Sequence, residues 1–211
     1  MNAVTATRIA VTRTETAAAG AAERIQGVRE DLPPGEHVLW QGSPSWQFMA
    51  RHVFHVRQVA IYFVVLAAAS AAMAAAEGQS PVAACATLVA MGAAACALLS
   101  LLAWLSARTT IYAITTRRVF MKIGIALPGF VNLPLHDIES AAVATYGGGH
   151  GDLPLLLEPR AHIAYLHLWP HARPWHVKRP EPMLRGVADS PRVAAILAAA
   201  LRTRAADAAA G

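Results

Sequence analysis

Charge is missing from two long stretches of this chain. From Val59 to Ala76, and again from Val82 to Ala107, there is no Asp, Glu, Lys or Arg. Cysteine is scarce. Cys85 and Cys96 both lie in the second stretch. In a helix they would sit about 16 Å apart along the axis, which excludes a disulfide between them. They read as small apolar residues of a helix. Residues 1–31 are rich in Ala, Thr and Arg and lack the apolar core of a signal peptide. No run of Lys and Arg interleaved with aromatics occurs, so nucleic acid is not an expected partner.

What is present is a pair of apolar runs joined by Glu77-Gly78-Gln79-Ser80-Pro81, which is turn chemistry. A helix needs about 20 apolar residues to cross a bilayer core. The sequence therefore predicts a transmembrane hairpin, 59–76 and 82–107. Arg51 and Arg57 precede it, Arg108, Arg117, Arg118 and Lys122 follow it, and the turn has neither Lys nor Arg. The positive-inside rule places both termini in the cytoplasm of a multi-pass protein. Trp46, Arg51, Arg57 and Arg108 are expected to contact the membrane surface, and Tyr62, Trp104 and Tyr112 to join its aromatic belts. A buried hairpin of a soluble protein is the competing reading, because Ala gains little from lipid. Ala68, Ala72 and Gly92 would instead allow close packing on the second helix or on a client helix. The Ala-rich helices also permit a homodimer.

The rest of the chain is organised around the hairpin. Residues 1–31 form an expected disordered tail, and 32–58 a cytoplasmic segment. In that segment His37–Trp40 reads as a short strand, and Trp46, Met49, Val53 and Val56 as an interfacial helix or, equally, the first turns of the membrane helix. After Arg108 the period changes. Thr109–Ile114, Arg118–Ile123, Phe130–Leu135, Ile138–Tyr146, Leu153–Leu157, Ile163–Trp169 and Trp175–Lys178 are strand candidates. Gly147–Gly151 is a turn. Ser190 as cap, Pro191 at the first position and Val193, Ile196, Leu197 and Leu201 as an apolar stripe predict a last helix. Residues 205–211 are an expected tail. The fold class is thus an α+β membrane protein, a two-helix hairpin followed by a small bent sheet with a C-terminal helix over 108–204. From Arg108 onward 12 Lys/Arg oppose 7 Asp/Glu, which favours anionic membrane lipids or an acidic protein face as partners.

Two sets of motifs carry a resemblance. Leu32-Pro33-Pro34-Gly35-Glu36, Leu39-Trp40-Gln41-Gly42 and Tyr112-Ala113-Ile114-Thr115-Thr116-Arg117-Arg118-Val119 resemble bacterial membrane proteins with a pleckstrin-homology-like domain. Phe54-His55-Val56-Arg57, Leu133-Pro134-Leu135, the segment from Tyr165 to Trp175 and Pro182-Met183-Leu184-Arg185-Gly186 resemble the PuhB type of photosynthetic complex assembly protein of purple bacteria. The resemblance spans about residues 32–203. It implies a pleckstrin-homology-like fold and no enzymatic activity. It also implies a role in assembling the photosynthetic reaction centre and its core antenna, with their polypeptides as partners. The corresponding location is the bacterial inner, intracytoplasmic membrane.

The residues themselves offer little chemistry. His162, His167, His171 and His176 crowd one region without the convergent carboxylate or thiolate support of a metal site. Strand alternation would set His167 beside Trp169 on a solvent-facing or interfacial side. No histidine lies within either apolar run, so no cofactor is expected, and Ser70 and Ser100 have no base near them in sequence. The segment Leu168–Pro182 differs, combining aromatic residues, arginines and prolines. Trp and Arg dominate binding hot spots. Trp169, His171, Arg173, Trp175 and Arg179 of this segment, with Arg185 of the following motif, are the candidate partner-binding residues; a packed edge of the domain with Trp169 in its core is the competing reading. Two functions follow. One is a non-catalytic assembly factor holding a partly built membrane complex. The other is a membrane-anchored module that binds anionic lipid or another membrane protein.

Overall fold

The computed structural model describes residues 25, 32–125, 129–158, 163, 165–174, 176 and 180–210. The expected tail at 1–31 lies outside these apart from Ile25, as do Trp175, Val177 and Lys178 of the expected strand Trp175–Lys178.

The chain enters the sheet before it forms the hairpin. Strand β1 (Val38–Gly42) is followed by a short helix, α1 (Trp46–Phe48), that runs on as a π-helical turn over Met49–Val53. The long helices α2 (Val56–Ala76) and α3 (Pro81–Thr109) come next, and β2 (Ile111–Thr115) starts two residues after α3 ends. β1 then pairs antiparallel with β2, Trp40 opposite Ile114 and Gly42 opposite Tyr112. The hairpin is therefore an insertion between two neighbouring strands of one sheet. The boundary expected at 108 does not bound the sheet, because β1 belongs to it.

The first sheet runs β1-β2-β3-β4, with β3 (Arg118–Ile123) and β4 (Gly129–Pro134) antiparallel in sequence order. Residue alternation sets its faces. Tyr112 and Ile114 of β2, Val119, Met121 and Ile123 of β3, and Val131 and Leu133 of β4 point into the main core. Ala113 and Phe120 point to the other face, where Ile25 and Leu32 cover them. In the second sheet the central strand is β7 (Gly151–Leu157). It pairs with β5 (Ile138–Ala141), β6 (Ala144–Thr145) and β8 (Met183–Val187). Leu153, Leu155, Leu157 and Leu184 meet the first sheet across the core. Helix α5 (Ser190–Ala210) closes the open side with Val193, Leu197 and Ala200; of the expected stripe, Val193 and Leu197 are buried and Ile196 and Leu201 partly buried against the core.

Four expectations need correction. Ile163–Trp169 is not a strand, since Tyr165–Leu168 forms a one-turn helix, α4. β8 was not foreseen; it is short, and its hydrophobic pattern is broken by Arg185 and Gly186. Ser190 does not cap α5. Its hydroxyl is buried without a hydrogen-bond partner among the described residues, and Asp189 carbonyl accepts from Arg192 and Val193 instead. Helix α5 runs to Ala210, past the tail expected from 205.

Helices α2 and α3 have 21 and 29 residues, about 32 and 44 Å at 1.5 Å per residue. Both are long and apolar enough to cross a membrane. Ser80 accepts from Ala83 N–H and Pro81 takes the first position of α3, so the turn is capped as helix starts usually are. The helices meet through small residues. Ala67, Ala74 and Gly92 are buried, and a Cβ on Gly92 would lie 2.7 Å from Phe63 Cβ. The large side chains point away: Val64, Met73 and Val82 are 67%, 66% and 75% exposed. A core hairpin of a soluble protein would turn such residues inward.

Candidate functional site

The residues singled out in sequence converge where the hairpin leaves the body. The segment before α2 folds back on β8: Ser45 N–H donates to Gly186 carbonyl at 2.9 Å. Phe48 packs against Gly186, where any Cβ would meet its ring at 2.9 Å. Gly186 has φ +60°, a backbone glycine adopts without strain. Phe48 also stacks on His52 at 4.2 Å between centroids and meets Tyr146 edge-on at 5.1 Å. The C-terminal loop arrives from the other direction. Ala172 bridges Pro182, Arg173 N–H donates to Glu181 carbonyl, and Met183 N–H to His171 carbonyl. These bonds close the base of the 173–181 loop.

Within this junction the candidate partner residues separate into two groups. Trp169 is 56% exposed and lies edge-on to Phe54 at 6.3 Å. Arg173 is exposed and forms an ion pair with Glu181 at 2.8 Å. These two are available to a partner. His171 and Arg185 are not surface residues, which corrects both expectations. His171 is fully buried, with Nε2 3.1 Å from Thr110 Oγ1 and Nδ1 2.6 Å from Tyr112 hydroxyl. Tyr112 hydroxyl also accepts Arg185 backbone N–H at 3.2 Å. Tyr112 was expected in an aromatic belt, but it has no exposure. Its place is a polar link between the end of α3, β2, β8 and the loop. Arg185 donates from its guanidinium to Ala172 carbonyl at 3.1 Å. Trp175 and Arg179 lie outside the described residues.

Burial dominates the electrostatics here. It pushes His171 down to about 3, helped by the charge of Arg185, so the imidazole is neutral in the fold. It holds Tyr112 well above the ordinary phenol range. It raises Asp152, against the Gly186 N–H bond and the charges of Arg185 and His52, and lowers Arg185 against the charge of Asp152. Asp152 is a feature sequence reading missed. It is a lone acid in an apolar strand, and only its long-range partner shows its role: its carboxylate accepts Gly186 N–H at 2.9 Å.

The membrane-surface candidates cluster at the same end of the hairpin. Trp46 is 43% exposed, Arg51 and Arg57 are exposed, and Arg108 guanidinium sits 5.1 Å over the Trp104 ring, a cation–π contact. Of the packing candidates only Gly92 lies in the α2–α3 contact. Ala68 and Ala72 are exposed, so they face outward and Ala67 and Ala74 replace them against α3.

Two motifs that read as separate signatures form one ion pair. Glu36 carboxylate accepts from Arg118 Nε and Nη2, each at 2.8 Å, and from Thr115 hydroxyl at 2.7 Å. Burial opposes this charge, but the Arg118 and Thr115 bonds prevail and hold Glu36 below the usual carboxylate value. The pair ties the segment before the hairpin to the β2–β3 turn after it.

A hairpin inserted into a two-sheet, helix-capped body defines a class. The bacterial PH domain family matches residues 58–153, from the start of α2 into β7. The likeness to one relative runs much further. The chain is 36% identical over 182 residues to an uncharacterized 23.7 kDa protein in the puhA 5′ region of Rhodobacter capsulatus, covering 84% of this chain and 85% of the other. The chain belongs to that PuhB-type family. No solved structure matches it.

Proposed function

We propose that this protein is a non-catalytic membrane assembly factor for the photosynthetic reaction centre and its core light-harvesting complex. The observation that carries the reading is the near full-length likeness to the protein in the puhA 5′ region. The motif resemblance of Tyr165–Trp175 agrees with it. The outward-facing apolar side chains of α2 and α3 support a hairpin that crosses the inner membrane. Arginines at one end only, Arg51, Arg57 and Arg108, favour a body on the cytoplasmic side. The exposed pair Trp169 and Arg173, on a loop closed at its base, is the surface that captures a client subunit. By binding exposed surfaces of an intermediate, the protein raises its population and favours the next subunit.

Affinity isolation of the full chain from membranes of its photosynthetic host tests this. Reaction-centre and core-antenna polypeptides are expected to co-purify. The double substitution Trp169→Ala and Arg173→Ala should lose them while the chain accumulates normally. A client complex that assembles at normal levels without this protein would sink the reading.

A further inference from the structure

A cavity of about 360 Å³ opens between the segment before α2 and the C-terminal loop, lined by His52, His55, Tyr165, Trp169, Pro174 and Arg185. Its charged wall is unusual. Arg185 is only 6% exposed, yet its Nε has no hydrogen-bond partner among the described residues. One of its other nitrogens is held by Ala172 carbonyl. Asp152 is close enough for its charge to favour the charged guanidinium, and one of its carboxylate oxygens accepts Gly186 N–H. Arg185 thus brings a positive charge to the cavity wall at a desolvation cost, which an anion bound in the cavity would lower. The rim lies beside the start of α2. His55 precedes that helix in a left-handed backbone, φ 53°, and its side chain does not cap the first turn. The positive end of the α2 dipole thus falls at the same rim. Trp169, exposed and braced on Phe54, gives the rim an aromatic edge.

We propose that this cavity binds the phosphate of an anionic lipid headgroup, with Arg185 as the charged donor and His55 and Trp169 as the rim beside the membrane helix. The position selects lipid over other anions, because the cavity opens where an inserted α2 would leave the bilayer. This rests on the membrane reading of the hairpin. It differs from diffuse attraction by Arg51, Arg57 and Arg108, because one buried guanidinium, and not the number of surface charges, sets the preference.

The test uses the full chain in detergent micelles, titrated with short-chain phosphatidylglycerol, short-chain phosphatidylcholine or inorganic phosphate, with calorimetry as readout. Phosphatidylglycerol should bind about tenfold or more tighter than phosphatidylcholine, and Arg185→Gln should lose about tenfold or more of that affinity, the scale of a charged hydrogen bond. Arg192→Gln, which removes an exposed charge on α5, should leave it unchanged. If Arg185→Gln fails to fold by circular dichroism, the double variant His52→Ala and His55→Ala decides, and full affinity in it overturns the site. Equal binding of the two lipids overturns it. So does inorganic phosphate binding as tightly as phosphatidylglycerol. Loss of client capture by Arg185→Gln with lipid affinity intact would assign the cavity to a client carboxylate and also overturn it. Flotation with vesicles separates this from the hairpin reading. A chain that does not float refutes membrane insertion, whereas one that floats without discriminating headgroups refutes only the cavity.

Discussion

At Gly92 the two long helices meet through a glycine and the Phe63 side chain. At Tyr112 the sheet body meets through a phenol, an imidazole and a threonine hydroxyl, all buried. The hairpin is held by close approach of small residues, with Ser70 hydroxyl donating to Ala84 carbonyl across it at 3.3 Å. Its large apolar side chains are left for the surroundings. The body turns most of its large apolar side chains inward and pairs most of the polar groups it buries, Arg185 Nε and Ser190 hydroxyl excepted among the described residues. The contrast teaches that neighbouring parts of one chain follow opposite burial rules, as expected if they have different solvents.

The strongest way to break this comparison is at Tyr112. Tyr112→Ala removes a fully buried ring and the two hydrogen bonds of its hydroxyl, to His171 and Arg185. It should cost the body about 3–5 kcal/mol, read by denaturant unfolding in mild detergent, while the helical signal of the hairpin persists. A loss below about 1 kcal/mol would mean that the ring and these bonds are not structural.

A second test uses pH. His171 is pushed down to about 3 in the fold from an ordinary 6.5, so between those values the unfolded chain binds more protons. Its contribution is complete above pH 6.5 and is lost as pH falls toward 3, by at most about 1.4 kcal/mol per unit. Glu36 also sits below its ordinary 4.5, so its contribution is present above 4.5 and fades only as pH drops further. Denaturation at pH 7.5 and 5.0 should show a stability loss that His171→Gln removes, whereas a loss confined below pH 4.5 would point to Glu36 alone.

Smaller effects sharpen the hairpin side. Gly92→Ala places a Cβ 2.7 Å from Phe63 Cβ and should cost about 1–3 kcal/mol through forced separation of the helices, seen as a lower thermal midpoint in detergent. Ala68→Leu with Ala72→Leu should change that midpoint by less than about 0.5 kcal/mol in stability, because both face outward. If these two variants exchange their effects, the helix faces are assigned wrongly.

Much of this was legible in one dimension, and the reason is local. Uncharged runs of helical length announce α2 and α3, since length and composition alone decide whether a helix is fit for lipid. Alternation announces β2, β3 and β4, and the Val193–Leu201 stripe announces α5, because each period maps directly onto one buried face. The candidate site was harder to read. Trp169 and Arg173, candidate partner residues in the sequence, are exposed in the fold, so the competing place for Trp169 in the core does not hold. His171 and Arg185 carry the same polar labels, yet the fold buries both. Their partners lie far away in sequence, 61 and 59 residues from His171 at Thr110 and Tyr112.

The sequence by itself determined that two apolar helices interrupt a β-rich chain with a basic C-terminal part. Only the tertiary structure decided that β1, written before those helices, pairs with β2, written after them. It also decided that Glu36 finds Arg118 across 82 residues, and that Arg185 ends in a cavity wall. The physical reason is range. Helix length and side-chain period are set by neighbours three or four positions away, whereas strand pairing and buried ion pairs depend on segments that meet only when the whole core has closed.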